Sequence, residues 1–356
     1  MGLNVPLWSP NKKNKKVKRL SLIILAAAYM LGLSSCSEKT IDTPQSNEGK
    51  AITFNNIATK AGLSDLQTDG FGVWATTSSA VNNSAVILTN EKVYLDGTEW
   101  TYDNTRYWID NTKFYFLAVH PYSADNSPVE EHRFTNDGVN MTGYTMSVVT
   151  PDAADYDPLA AMNITDTSIE GYATTVPLTF EHMMTKVNLK ITQDFEKSPD
   201  FDYYVSKVTV TGIKGSGTFM AMPYGETFYR GWNFDGAATK TFEKSFTTPV
   251  RLRNPDAADK KIVLNVFGEG LLIIPQEIIA NAVRIRVDYY YDVDPSDDDM
   301  GVARYVESYI PASNIWESNK SITYAIAISE SNDIKFLAPT IEPWGSPQTG
   351  GTIIIK

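Results

Sequence analysis

Cysteine is almost missing from this chain: Cys36 is the only one in 356 residues. No internal disulfide can form, and no thiolate metal site can assemble. Histidine is nearly as scarce. His120, His132 and His182 are the only three, and none stands at metal-ligand spacing from another. No Gly-x-Ser-x-Gly elbow, P-loop or dinucleotide fingerprint is present, so three large enzyme classes lose their usual signatures. The 42 acidic residues offer many pairs for glycoside hydrolysis, but nothing singles one out. The sequence therefore reads as a non-enzyme that needs no cofactor and no metal. Sustained helical periodicity, heptads and short repeats are also missing. The apolar run Leu20–Leu33 is only 14 residues long, against about 20 for a membrane-spanning helix.

That short run does have a reading. Lys12, Lys13, Lys15, Lys16, Lys18 and Arg19 precede it and small residues follow, the layout of a secretory signal peptide. Leu33-Ser34-Ser35-Cys36 looks like the lipobox of a bacterial lipoprotein precursor, so residues 1–35 are expected to be removed and Cys36 to accept lipid. The alternative is an ordinary signal peptide with a chance cysteine. Stable anchoring takes more than one acyl chain, palmitate among them, at about 0.8 kcal/mol per buried methylene. N-myristoylation is excluded, because Pro6 occupies the position that needs Ser or Thr. Removing residues 1–35 takes away six positive charges and no negative ones. The balance moves from 31 basic against 42 acidic residues to 25 against 42, a net of −17. Such a chain is poorly suited to binding nucleic acid, where phosphate neutralisation drives affinity, or anionic lipid.

Beyond the cysteine, residues 36–50 are polar and carry Pro44 and Gly49, a flexible tether. Strand material then dominates. Ala51–Phe54, Phe71–Ala75, Val86–Tyr94 and Lys113–His120 are predicted strands, the last apolar enough to be buried on both faces. Residues 57–70 read as polar and turn-rich, and residues 121–175 as mostly loop with an ordered patch at Asp157–Met162. From Val187 the alternation is clear: Val187, Leu189 and Ile191 face one way, Asn188, Lys190 and Thr192 the other. Further runs are Val205–Ile213, Ile262–Phe267, Leu271–Ile274, Val283–Tyr291, Val302–Tyr309 and Ile322–Ile328. Many short strands separated by turn signals indicate an all-β antiparallel sandwich or barrel architecture. Two β-sandwich domains are expected, 51–175 and 176–356.

Four patches together resemble one family. They are Val176-Pro177-Leu178-Thr179-Phe180-Glu181-His182 running on to Lys186-Val187; Ile52-Thr53-Phe54 with Thr59-Lys60-Ala61 and Phe71-Gly72-Val73-Trp74; Leu271–Gln276; and Trp316–Tyr324 followed by Ile334-Lys335-Phe336 and Trp344. In this order, behind a lipobox, the chain resembles the fimbrillin-like family, lipoprotein pilins of type V pili. The resemblance implies two transthyretin-like domains and a surface-exposed lipoprotein of the cell outer membrane that becomes a fimbrium subunit in cell adhesion. It implies that a trypsin-like protease removes an N-terminal segment including the first strand, and that a strand of another subunit fills the vacated groove. Carried onto this chain, the cut falls between Lys60 and Ala61, and the donor comes from Thr352, Ile353, Ile354 and Ile355. Lys60 stands where arginine is commoner. Partners would be other pilin subunits, the outer membrane through Cys36, and a host or glycan ligand.

Other readings stay open on the residues themselves. The terminal Thr352–Ile355 strand, preceded by Gly350-Gly351, can swing out to a partner or close its own sheet. The acidic stretch Asp292–Asp299 lacks the EF-hand glycine and glutamate positions and reads as a solvated hairpin tip. Trp100, Tyr102, Tyr107 and Trp108 either stack sugars or pack in the core. If they stack sugars, the chain is instead a glycan-binding surface lipoprotein.

Overall fold

A computed structural model describes residues 49–349 except 56, 60–62, 79–85, 125–128, 137–138, 152–156, 196–200, 225, 235–237, 254–260, 294–298, 313–314, 330–333 and 346–347. A short strand β1 (Ile57–Thr59) and helix α1 (Leu63–Asp69) lead into β2 (Phe71–Ser78), β3 (Val86–Asp96) and β4 (Glu99–Thr101). Then come β5 (Lys113–His120), β6 (Val129–Asn136), β7 (Val139–Val149), β8 (Leu159–Asp166) and β9 (Leu178–His182). The middle of the chain supplies β10 (Thr185–Gln193), β11 (Asp202–Lys214), β12 (Ser216–Tyr224), β13 (Thr227–Asn233) and β14 (Thr239–Arg251). Short β15 (Leu264–Asn265), β16 (Leu271–Ile273) and β17 (Gln276–Glu277) precede β18 (Arg284–Asp292) and β19 (Val302–Tyr309). The chain closes with β20 (Ile315–Trp316), β21 (Lys320–Ile328), β22 (Ile334–Phe336), β23 (Thr340–Pro343) and β24 (Gln348–Thr349).

The fold is all-β, as expected. One sheet has eight strands in the order β24-β1-β9-β8-β5-β2-β3-β4. A second follows β15-β10-β21-β22, with β16 on β10 and β23 on β21. Two four-stranded sheets, β14-β11-β18-β19 and β13-β12-β7-β6, and the pair β17-β20 complete it. Pairing is mostly antiparallel, but β1 with β9 and β10 with β21 run parallel. Parallel partners need a long crossover rather than a tight turn, and both pairs join strands far apart in sequence.

Two sequence expectations need correction. Residues 121–175 are not mostly loop: β6, β7 and β8 lie there. The β6–β7 register pairs Asn136 with Val139, so just two residues, Asp137-Gly138, separate the strands, and Asp-Gly is a strong hairpin dipeptide. Residues 57–70 likewise hold a strand and a helix rather than turns.

Three apolar clusters organise the described residues. The first draws on residues 52–180 and is rich in rings: Phe54, Phe71, Phe114, Phe116 and Phe180 are all fully buried. Their contacts are mainly edge-to-face, such as Phe71 on Phe180 at 5.0 Å, the arrangement the ring quadrupole favours. The second lies between β10 and β21 on one side and β11 and β18 on the other, from Val187 to Ile328. It uses the alternation of β10, whose Val187, Leu189 and Ile191 point inward. The third joins Trp74, Leu117 and Val119 of the eight-stranded sheet to Tyr144 of β7 and Phe219 of β12. Strand β5 is therefore buried on both faces: Phe114, Phe116 and Ala118 enter the first cluster, Leu117 and Val119 the third. Tyr144 fastens the layers, donating its hydroxyl to the Tyr115 carbonyl at 2.8 Å.

Candidate strand-exchange site

The residues before β1 lie as an extended arm across the first core. Along Ala51–Asn55 the side chains alternate, with Ile52 and Phe54 buried and Thr53 and Asn55 exposed. Backbone bonds hold the arm on both sides. The Ile52 N–H donates to the Arg106 carbonyl at 2.8 Å, and the Trp108 N–H to the Lys50 carbonyl at 3.0 Å. Across the arm, the Val176 N–H donates to the Thr53 carbonyl at 2.8 Å, and the Thr53 and Thr175 hydroxyls are 2.9 Å apart. The buried Tyr102 hydroxyl donates to the Ile52 carbonyl at 3.0 Å, and burial raises its pKa. The expected strand at 51–54 is thus present as isolated bridges, Ala51 with Tyr107 and Thr53 with Thr175, rather than as a continuous ladder.

Strand β1 continues the insertion. It pairs in parallel with β9, Ile57 opposite Leu178 and Thr59 opposite Phe180. Its other edge pairs antiparallel with β24, Ala58 opposite Thr349 and Thr59 opposite Gln348. Ile57 and Thr59 are buried. Fully burying an aliphatic or aromatic side chain contributes about 1.5–3 kcal/mol. Ile52, Phe54 and Ile57 together therefore contribute on the order of 5–9 kcal/mol, similar to the whole stability margin of an ordinary domain. A body stripped of residues up to 60 would expose an apolar groove with unpaired backbone on both walls.

The C-terminal end reaches this groove from the second core. Strand β23 pairs with β21, Lys320 opposite Pro343. Trp344 then stacks on His182, with ring centroids 3.7 Å apart and planes 3° apart. His182 Nδ1 is 2.7 Å from Asp157 Oδ2. Sequence reasoning reads His182 as structural and misses this stack, because Asp157, His182 and Trp344 are far apart along the chain.

Several sequence-predicted positions lie outside the described residues: Cys36, Lys60, Ala61 and Thr352, Ile353, Ile354 and Ile355. The described chain comes within one residue of Lys60, at Thr59. Of the aromatics weighed as a sugar platform, Tyr102 and Trp108 are 8% and 6% exposed and Trp100 packs against the first core. Only Tyr107 is exposed. His120, at the end of β5, is buried with its Nδ1 2.8 Å from the carbonyl of Gly70, between α1 and β2. The acidic stretch joins the antiparallel strands β18 and β19, where Tyr291 opposes Val302. Among the described residues no three His, Cys, Asp or Glu side chains come together to hold a metal.

A family model described as fimbrillin-like matches residues 59–344. Among solved structures, the fold is similar to that of a fimbrial protein from Bacteroides vulgatus, with a TM-score of 0.55 at 15% identity, covering 82% of this chain and 99% of that one. The tip fimbrial protein Mfa3 from Porphyromonas gingivalis, with C-terminal truncation, aligns over 83% of this chain and 99% of that one, at 10% identity and a TM-score of 0.34. No curated protein matches the sequence significantly.

Proposed function

This chain belongs to the fimbrillin-like family, and from that premise we propose that it is a fimbrial subunit that polymerises by donor-strand addition and supports cell adhesion. The observation that carries the reading is the N-terminal arm. It seats Ile52, Phe54 and Ile57 in the first core while standing at the very end of the body, directly before Lys60. An element that buries this much apolar surface yet can be removed by one cut leaves a groove that only another apolar strand can fill.

The donor is the stretch Thr352–Ile355, whose consecutive isoleucines supply the apolar positions. In the uncut chain β24, just ahead of that stretch, is paired with β1. One cut between Lys60 and Ala61 therefore opens the acceptor edge and at the same time deprives the C-terminal donor segment of its pairing partner, β1. Cys36, once lipidated, holds the precursor at the outer membrane until the cut severs that link. We read the first and second clusters as the cores of two transthyretin-like domains, 51–175 and 176–356, with β9 lent to the sheet of the first. Partners are other pilin subunits; no catalysis is required.

The test uses the chain from residue 36 with Cys36→Ser, treated with a trypsin-like protease. Mass spectrometry reads the new N-terminus and light scattering follows polymer size. A cut after Lys60 followed by growing, detergent-resistant polymers is expected. A synthetic peptide of residues 50–59, added in excess, should refill the groove and stop growth. A cut chain that stays monomeric without the peptide sinks the proposal.

A further inference from the structure

A knot of contacts surrounds Trp344. Its ring lies flat on the His182 imidazole, 3.7 Å away, and Lys186 Nζ sits 5.7 Å from the same ring's centroid, a cation–π distance. Its backbone N–H donates to the Asn319 carbonyl at 3.0 Å, and the Asn319 N–H donates in turn to the Met184 carbonyl at 3.0 Å. The imidazole is held from behind by Asp157, 2.7 Å from Nδ1, and its side chain is 3% exposed.

The neighbours on either side of Trp344 are held far less. Upstream, all four residues of β23 are exposed, and that strand pairs with β21. Downstream, Gly345 takes a φ of +78°, a left-handed turn that glycine adopts without steric cost, and by Gln348 the chain lies on β1. None of His182, Asp157, Lys186 or Asn319 belongs to the segment that the proposed cut removes.

We propose that the His182–Trp344 stack is the pivot of the donor arm: it keeps the chain on its own subunit through Trp344, so that only residues 345–356 exchange. This rests on the strand-exchange reading above. The stack is a positioning device. It stops β23 from peeling off β21 and so fixes the point at which the exchanging segment leaves its own subunit. A fixed arm gives every junction between subunits the same span.

Hydrogen exchange read by mass spectrometry tests this on the Cys36→Ser chain, before and after the cut. In the unaltered sequence, the 341–342 stretch is expected to keep its protection through the cut by way of the Glu342 amide, which lies on the β21 side of the strand, while 348–349 loses its own. Trp344→Ala should speed exchange at 341–342 at least tenfold, and His182→Gln, which cannot stack, should do the same. Trp344→Phe should restore protection. Unchanged exchange at 341–342 in both Trp344→Ala and His182→Gln overturns the pivot, as does full release of 341–342 by the cut alone. If the cut chain fails to polymerise, the strand-exchange reading falls, whereas the exchange data still decide whether Trp344 anchors the segment. In polymers of Trp344→Ala the subunit repeat measured by electron microscopy should broaden; an unchanged repeat also counts against the pivot.

Discussion

Tyr102 holds Ile52 by its backbone: the phenol donates to the Ile52 carbonyl at 3.0 Å and accepts from the Arg106 N–H at 2.9 Å. Phenylalanine keeps the ring and deletes both bonds. Leaving buried polar groups unpaired costs about 1–3 kcal/mol. Tyr102→Phe should therefore lower stability by that amount in urea unfolding and quicken cleavage after Lys60. An unchanged cleavage rate would mean that the phenol does not hold the arm.

Phe54 and Thr53 are adjacent but should respond by very different amounts. Phe54 is fully buried and meets Phe71, Tyr102 and Phe116 at ring distances of 6.5, 5.5 and 6.3 Å. Phe54→Ala should cost about 3–5 kcal/mol. Thr53 is exposed and loses one hydroxyl contact to Thr175, so Thr53→Ala should cost about 1 kcal/mol or less. Equal costs in denaturant melts would show that the arm is not seated by alternate residues.

Gly212 lies in β11 with a φ of +87°, and a Cβ there would meet the Ala282 carbonyl oxygen at 1.9 Å. The β11–β14 register shifts between Val210 and Ile213, the mark of a bulge at this glycine. Gly212→Ala should destabilise the protein by about 1–3 kcal/mol and slow refolding or lower the yield of soluble chain. A thermal melt matching the parent would argue against the bulge.

Asp166 should shape the acid side of the stability curve. Its carboxylate accepts from the Ser168 hydroxyl at 2.6 Å and the Ser168 N–H at 3.0 Å. These bonds, led by the hydroxyl, lower its pKa below the ordinary 3.8. A carboxyl with a depressed folded pKa contributes stability above its unfolded pKa and loses it as pH falls through the folded value. Asp166→Asn should therefore reduce stability at neutral pH and flatten the decline below pH about 4. Parallel curves for the two proteins between pH 7 and 2.5 would rule this out.

The parts of the fold legible in sequence are strands with either a clean alternation or one continuous apolar run. The alternation at Val187, Leu189 and Ile191 and the apolar run Lys113–His120 give β10 and β5 almost at their true bounds. The four strands β6, β7, β12 and β13 are hard to read from sequence, because they form one sheet from both halves of the chain and mix polar and aromatic residues without a sustained apolar alternation. Of the candidate site, Ile52-Thr53-Phe54 was visible as a strand, but its placement between Arg106–Trp108 and Thr175–Val176 depends on partners no local pattern encodes. The stack of Trp344 on His182 is hidden for the same reason. The aromatics around Trp100–Trp108 were ambiguous, since strand spacing alone does not distinguish a ring in the core from one in solvent, and burial places most of them inside.

The sheet that covers the back of β5 also bears on how the chain is made. Tyr144, Met146 and Val148 come from β7 and Phe219 and Ala221 from β12, so the cover is finished only after the second half has begun to emerge. During synthesis, Leu117 and Val119 must wait for distant partners with their apolar faces bare. Such half-covered sheets are prone to aggregate, and a holding chaperone that shields this face would act before β12 arrives.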